Sequence, residues 1–244
     1  MSLRELLHNL HKHLTVIVSY ADEKAKYFRR RLAVWGARHC RDFPWRMTNN
    51  PFHILLAEMM LRRTNAPQVI PTYLDMIRRY SDPKSLAIAP IKQVLKTLQP
   101  LGLAWRAKNI RQMAEALTER FEGLVPSTYE ELIKLPGVGD YVASAVCCFA
   151  FGQPLPVIDT NTVRVAGRYF GFPTHAESRR RSPVRKTIVA ITSRRNTREF
   201  NYAFLDFAAL VCKANKPECP TCPLRHRCVF GQERLGISRR KRKQ

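Results

Sequence analysis

The sequence is short of acid: 19 Asp and Glu stand against 42 Lys and Arg, a formal charge of +23 at pH 7. Such an imbalance points to a polyanionic partner. It also lacks any uninterrupted apolar run of eighteen residues, which excludes a transmembrane helix, and any compact apolar N-terminal segment with a cleavage site. A membrane partner is therefore not expected, nucleic acid is the favoured polyanion, and the expected location is intracellular, cytoplasm or nucleoid if the source is prokaryotic. Runs of alternating β-branched residues are few, and there is no internal repeat or long low-complexity linker. Any domain division must then be made by the fold and not by a tether.

What is present is helical periodicity. Apolar residues recur at spacings of three and four over Ile54 to Leu61, Gln68 to Tyr80, Ile91 to Leu98, Arg106 to Phe121 and Phe200 to Cys212. Turn residues separate these segments at Asn49-Asn50-Pro51, Ser81-Asp82-Pro83, Gln99 to Gly102 and Gly123 to Pro126. The pattern predicts an all-α protein, and 244 residues suffice for one large domain or two small ones. Basic clusters fall at Arg29 to Arg31, Arg179 to Arg181, Arg194-Arg195 and Arg239 to Lys243. Any one of them reads as a solvated face, and together they make a DNA-facing surface plausible.

Seven cysteines, an odd number with four crowded between Cys212 and Cys228, make a ligand pattern and not a disulfide framework. Cys147 and Cys148 sit in an apolar stretch and are expected to be buried small side chains. Cys212, Cys219, Cys222 and Cys228 supply four thiolates, a set that could hold Zn²⁺ or an iron–sulfur cluster.

The strongest local signal is Leu135-Pro136-Gly137-Val138-Gly139. Pro126 and a capping-box pair, Ser127 with Glu130, start a short helix, the glycine turn stops it, and a second helix is expected from about Asp140. Gly137 and Gly139 let the backbone of this turn, Val138 included, approach a ligand, while the next helix N-terminus offers N–H groups to a phosphate. Asp159, before Thr160-Asn161-Thr162-Val163-Arg164-Val165, reads as a helix N-cap whose carboxylate could also do chemistry. Glu58 is the odd residue in an apolar helix: it is either a structural acid paired to an Arg or, among methionines and leucines, a proton donor.

These motifs resemble those of the helix-hairpin-helix DNA glycosylases, the superfamily of endonuclease III and its adenine- and thymine-removing relatives, over roughly Tyr27 to Phe230. The resemblance implies a six-helix barrel over residues 48–153 carrying the hairpin. It also implies a second lobe built from both termini, residues 1–47 and 154–230, with 231–244 as a basic tail; the hairpin and Asp159 would flank the cleft between the lobes. It implies that Asp159 stabilises the sugar cation and orients or deprotonates water, that Glu58 faces the flipped base, and that Gly137, Val138, Gly139, Asn161, Arg62 and Arg63 contact DNA, with Arg62 or Arg63 reaching the gap or the widowed guanine. The six-two-five cysteine spacing resembles the family's [4Fe–4S] loop, so the implied cofactor is that cluster, held by Cys212, Cys219, Cys222 and Cys228.

Position 141 bears on the reaction. Strand-cutting members carry Lys there, an amine able to form an imine; Tyr141 cannot, which implies hydrolysis with an abasic site as product, although Tyr141 as mere packing is an equal reading. Leu61-Arg62-Arg63-Thr64, Tyr141 and the lack of a further domain after the cysteines resemble the glycosylases that act on T·G and U·G mispairs. Asp140 departs from that pattern, which usually has a basic residue there. The expected enzyme is a monomer on mismatched or damaged double-stranded DNA, removing thymine or uracil opposite guanine. An adenine glycosylase is the runner-up, and a lyase or a non-catalytic DNA-binding module are further alternatives.

Overall fold

A computed structural model describes residues 22–102, 104–173 and 182–237. The basic clusters Arg179 to Arg181 and Arg239 to Lys243 lie outside the described residues, where every regular element is helical. The helices are α1 (22–39), α2 (Pro51–Met60), α3 (Ala66–Arg79), α4 (Pro83–Ala87), α5 (Ile91–Leu98), α6 (Ala104–Phe121), α7 (Tyr129–Leu132), α8 (Asp140–Phe151), α9 (Thr160–Phe170), α10 (Ser182–Ile191), α11 (Thr197–Leu210) and α12 (Val229–Arg234). They fall into two compact units: residues 41–157 form one, and the chain up to 40 with the chain from 158 forms the other.

In the 41–157 unit, α2 is the buried axis. Its residues are apolar nearly all round and eight of its ten are buried, which is the signature of a helix enclosed by others. Asn50 starts it by accepting the Phe52 and His53 amides, and Pro51 occupies the first turn, where no amide is needed. α8 packs on α2, and α6 packs on α4 and α5. Leu55, Leu56, Met60, Tyr73, Ile110 and Val146 are among the side chains that fill the core. Phe43 and Trp45, stacked with ring centroids 4.8 Å apart, belong to it as well. Cys147 and Cys148 are wholly buried in α8, and burial pushes the Cys147 thiol up to about 11, out of reach of ordinary thiolate chemistry.

The other unit is held by aromatic residues. Phe28 meets Tyr169 and Phe204 edge-on at 5.0 and 5.4 Å, and Trp35 meets Phe207 at 5.2 Å. α1 and α11 approach so closely at Gly36 that a Cβ there would lie 2.4 Å from the Cβ of Ala203. α9 carries the unit's polar chemistry and packs on α10, α11 and α12.

Candidate functional site

The hairpin of the 41–157 unit is built from α7, a glycine turn and α8. α7 begins one residue later than its sequence pattern suggests: Thr128, not Ser127, is the N-cap, accepting the Glu131 amide and donating its hydroxyl hydrogen to the Glu131 carboxylate. Ser127 is tied elsewhere, its carbonyl accepting from Gln153 Nε2 at 2.8 Å. Gly137 sits at φ +77°, a conformation that penalises any Cβ. A Cβ there would also lie 2.9 Å from the Cβ of Asn109 and 3.0 Å from Met59 Cε, so the turn is pressed onto α6 and α2. Val138 points into the core, 7% exposed, and its amide is spent on the Leu135 carbonyl at 3.1 Å. Gly139 is the N-cap of α8 and brings no side chain to that helix's first amides; a Cβ on it would meet nothing within 4 Å. Asp140 accepts the Tyr129 hydroxyl at 2.7 Å, a side-chain link across the hairpin. Tyr141, in the first turn of α8, is half-buried against the unit's core.

The loop after α2 meets this hairpin. Arg62 is exposed and its guanidinium donates to the Gly137 carbonyl at 2.9 Å. Arg63 is exposed at φ +56°, left-handed backbone that costs a side-chain-bearing residue about 1 kcal/mol or more. Beneath them Arg106 of α6 is 3% exposed; burial pulls its pKa down to about 10, with the positive Arg62 and Arg63 adding to the pull. Glu58, 2% exposed, lies two residues before the end of α2. Glu58, Arg62, Arg63, Gly137 and Tyr141 all belong to the 41–157 unit, and among them Arg62 meets Gly137 directly.

Asp159 belongs to the other unit and is the N-cap of α9. Its Oδ1 accepts the Asn161 and Thr162 amides at 2.9 and 2.7 Å, while Thr162 Oγ1 accepts the Asp159 amide at 2.9 Å, closing a capping box. Its Oδ2 accepts Asn161 Nδ2 at 2.6 Å. The carboxylate is therefore held by three N–H donors in one orientation. Behind it runs a chain of bonds: Asn161 Oδ1 accepts from Arg164 at 2.8 Å, and Arg164 donates on to the carbonyls of Ala208 at 2.9 Å and Cys212 at 3.1 Å. Asp159 is thereby linked to the first cysteine of the loop.

Cys212, Cys219, Cys222 and Cys228 line one small cavity, walled also by Val211 and Phe230. Burial pushes the thiols of Cys222 and Cys228 up to about 12 and 11, and negative charge on neighbouring cysteines pushes the same way. A cationic iron–sulfur core would reverse that preference by binding the thiolates. Arg168 clamps the loop, donating to the carbonyls of Lys213 and Ala214 at 2.7 Å each and reaching Cys212 Sγ at 3.5 Å. The Gly231 amide donates to Cys228 Sγ at 3.3 Å. Among the described residues, no three His, Cys, Asp or Glu side chains converge on a point where one metal ion could sit. The four thiols do share the lining of one cavity, and four cysteines are a ligand set that an iron–sulfur cluster would take.

Arg106, Arg164 and Arg168 are the residues that motif reading passes over. Their signal is register: Asn161, Arg164 and Arg168 recur at three and four along one face of α9, and Arg106 stands one turn before Ile110 on the apolar face of α6.

Comparison with known proteins places this arrangement. The chain is 39% identical over 209 residues to the thymine-DNA glycosylase of Aeropyrum pernix, covering 83% of this chain and 93% of the relative. It is 38% identical to the thymine/uracil-DNA glycosylase of Pyrobaculum aerophilum, covering 80% and 86%. The fold matches that of a thermostable thymine-DNA glycosylase with a TM-score of 0.79 at 30% identity, covering 86% and 98%. It also matches a trapped endonuclease III–DNA covalent intermediate with a TM-score of 0.77 at 28% identity, covering 88% and 98%. Residues 56–187, from the middle of α2 through the hairpin and Asp159 into α10, match the HhH-GPD superfamily of base excision DNA repair proteins, and the chain belongs to that family.

Proposed function

We propose that this DNA glycosylase hydrolyses the N-glycosidic bond of thymine or uracil mispaired with guanine in duplex DNA, and that its four-cysteine loop holds a [4Fe–4S] cluster. The observation that carries the reading is the Asp159 carboxylate, held by three N–H donors at the head of α9. Cleaving the bond leaves a positive sugar and an electron-rich base. A negative group already oriented needs no reorganisation to stabilise that cation, and it can take the proton of the water that adds to the sugar carbon. The bond from sugar to base breaks with its electron pair going to the base, which then accepts a proton; Glu58 is the group assigned to the base side. Tyr141 supplies no amine, so the sugar is released to water and not captured as an imine. The substrate assignment is supported by the thymine- and uracil-removing relatives together with the Arg62-Arg63-Thr64 and Tyr141 pattern.

Binding falls to the hairpin and the arginines. Gly137 and Gly139 bring backbone close to a phosphate at the N-terminus of α8, and the net charge of +23 supplies attraction that weakens with salt. No helix among the described residues is long and apolar enough to cross a membrane. The cluster's contribution is structural: bound thiolates would staple residues 212–228 beside α9, and through Arg164 that staple bears on Asn161 and Asp159.

The test is a panel of duplexes carrying each mispair, incubated with the full-length protein and then treated with alkali. Alkali-dependent cleavage at thymine or uracil opposite guanine is expected. Cleavage confined to adenine mispairs would overturn the substrate, and no cleavage at any mispair would overturn the function.

A further inference from the structure

The loop after α2 is organised around a buried cation from a different helix. Arg106 Nη1 donates to the Met60 carbonyl at 2.5 Å and to Thr64 Oγ1 at 3.1 Å. Met60 closes α2, so its carbonyl is one of the helix-end acceptors that need a donor from outside. Thr64 passes the constraint on: its hydroxyl donates to the Arg62 carbonyl at 3.4 Å and its amide to the Leu61 carbonyl at 3.3 Å. Between these anchors Arg63 is held at φ +56°, a conformation that persists only where the surroundings over-determine it. Arg62, meanwhile, reaches across to the Gly137 carbonyl.

An arginine at this position carries a desolvation cost that an apolar core residue of α6 would not. The position lies on the same face of α6 as Ile110, Met113 and Leu117, all wholly buried, and the guanidinium stands near two further cations. An apolar side chain would avoid both the desolvation and the like-charge repulsion. What a leucine could not do is give one donor group to both ends of the loop.

We propose that Arg106 is a positioning residue for DNA: it locks loop 61–65 so that Arg63 is presented outward and Arg62 stays on the hairpin, making the two arginines and the phosphate-binding turn a single preformed surface. This rests on the reading that Arg62 and Arg63 touch DNA. Preformed, the surface binds without first ordering a loop.

The experiment is a thermodynamic cycle read by fluorescence anisotropy on a duplex with a tetrahydrofuran abasic-site analogue opposite guanine. The proteins are the wild type, R106Q, R62A/R63A and the triple variant, each checked by circular dichroism and melting. R106Q is expected to weaken binding about tenfold in the wild-type background and by less than about twofold when Arg62 and Arg63 are already gone, because it acts through them. R106K, which keeps the charge but not the forked geometry, should fall between. Equal losses in both backgrounds, no loss in the first, or a wild type that binds no tighter than R62A/R63A would each overturn the proposal. Should R106Q fail to fold, T64V removes the hydroxyl that bridges Arg106 to the Arg62 carbonyl, and the same cycle with T64V carries the same expected and overturning outcomes. Abasic duplex binding needs no base release, so a wild type inactive on every mispair would defeat the glycosylase assignment and leave this result standing.

Discussion

Replacing Arg164 by methionine tests whether the orientation of Asp159 is made by the bonds behind it. Methionine fills much of the space and keeps none of the donors. The guanidinium gives hydrogen bonds to Asn161 Oδ1 and to the carbonyls of Ala208 and Cys212. Bonds from a charged donor are worth about 1.5 kcal/mol each, but Arg164 is only half-buried and water can replace part of them, so a loss of about 2–3 kcal/mol is expected. For a chain of this size that is a fall in melting temperature of about 4–12 °C. The effect on activity should be separate. Without Arg164 the Asn161 amide is no longer held, its 2.6 Å bond to Asp159 Oδ2 loosens, and the carboxylate can swing. A misplacement of about 1 Å costs up to about 100-fold, so thymine release should fall about 10- to 100-fold. The assay is single-turnover release from a T·G duplex at saturating enzyme, with variants matched for iron content and measured well below their melting temperatures. Asn161→Ala should show the activity loss with less of the stability loss. An R164M enzyme that melts early yet releases thymine within threefold of the wild-type rate would refute the reasoning and leave Arg164 as a cap for the end of α11.

Two further outcomes follow from the same structure. Protein purified without oxygen should be brown and carry about four irons, and Cys222→Ser should lose most of that iron; stoichiometric zinc in place of iron would overturn the cluster assignment. Tyr141→Lys puts an amine on the first turn of α8 and should gain trapping by borohydride as a covalent protein–DNA adduct, whereas efficient trapping by the wild type would contradict the hydrolytic assignment.

The helical character, the hairpin and the capping role of Asp159 were all legible in the sequence, because each depends on residues within a few positions of one another. Helix starts were less so. The periodic pattern begins at Ile54 and Gln68, but α2 and α3 begin at Pro51 and Ala66, since the first turn of each carries an early Pro, and in α2 an Asn50 side-chain cap, and is not set by apolar spacing. The same limit moved the α7 cap from Ser127 to Thr128: two adjacent hydroxyl residues, each followed three residues on by a Glu, are equivalent until Gln153 takes the Ser127 carbonyl. α1 carries a valid spacing, Phe28, Leu32 and Trp35, that its arginines obscure. The polar contacts around the site were the least legible. Arg62 meets Gly137 across 75 residues, Arg106 meets Met60 across 46 and Arg164 meets Cys212 across 48, and no local pattern encodes a partner that far away.

The central claim is that a negative charge at Asp159 drives base release. Asparagine at this position can still accept the Asn161 and Thr162 amides through its carbonyl oxygen, so α9 keeps its cap and the fold should survive. The measurement is the single-turnover rate of thymine release from a T·G duplex by Asp159→Asn against wild type, at enzyme concentrations that saturate the DNA. Loss of the charge facing the sugar cation should slow release by about 1,000-fold, some 4 kcal/mol, with DNA affinity retained. A rate within tenfold of wild type would contradict the account.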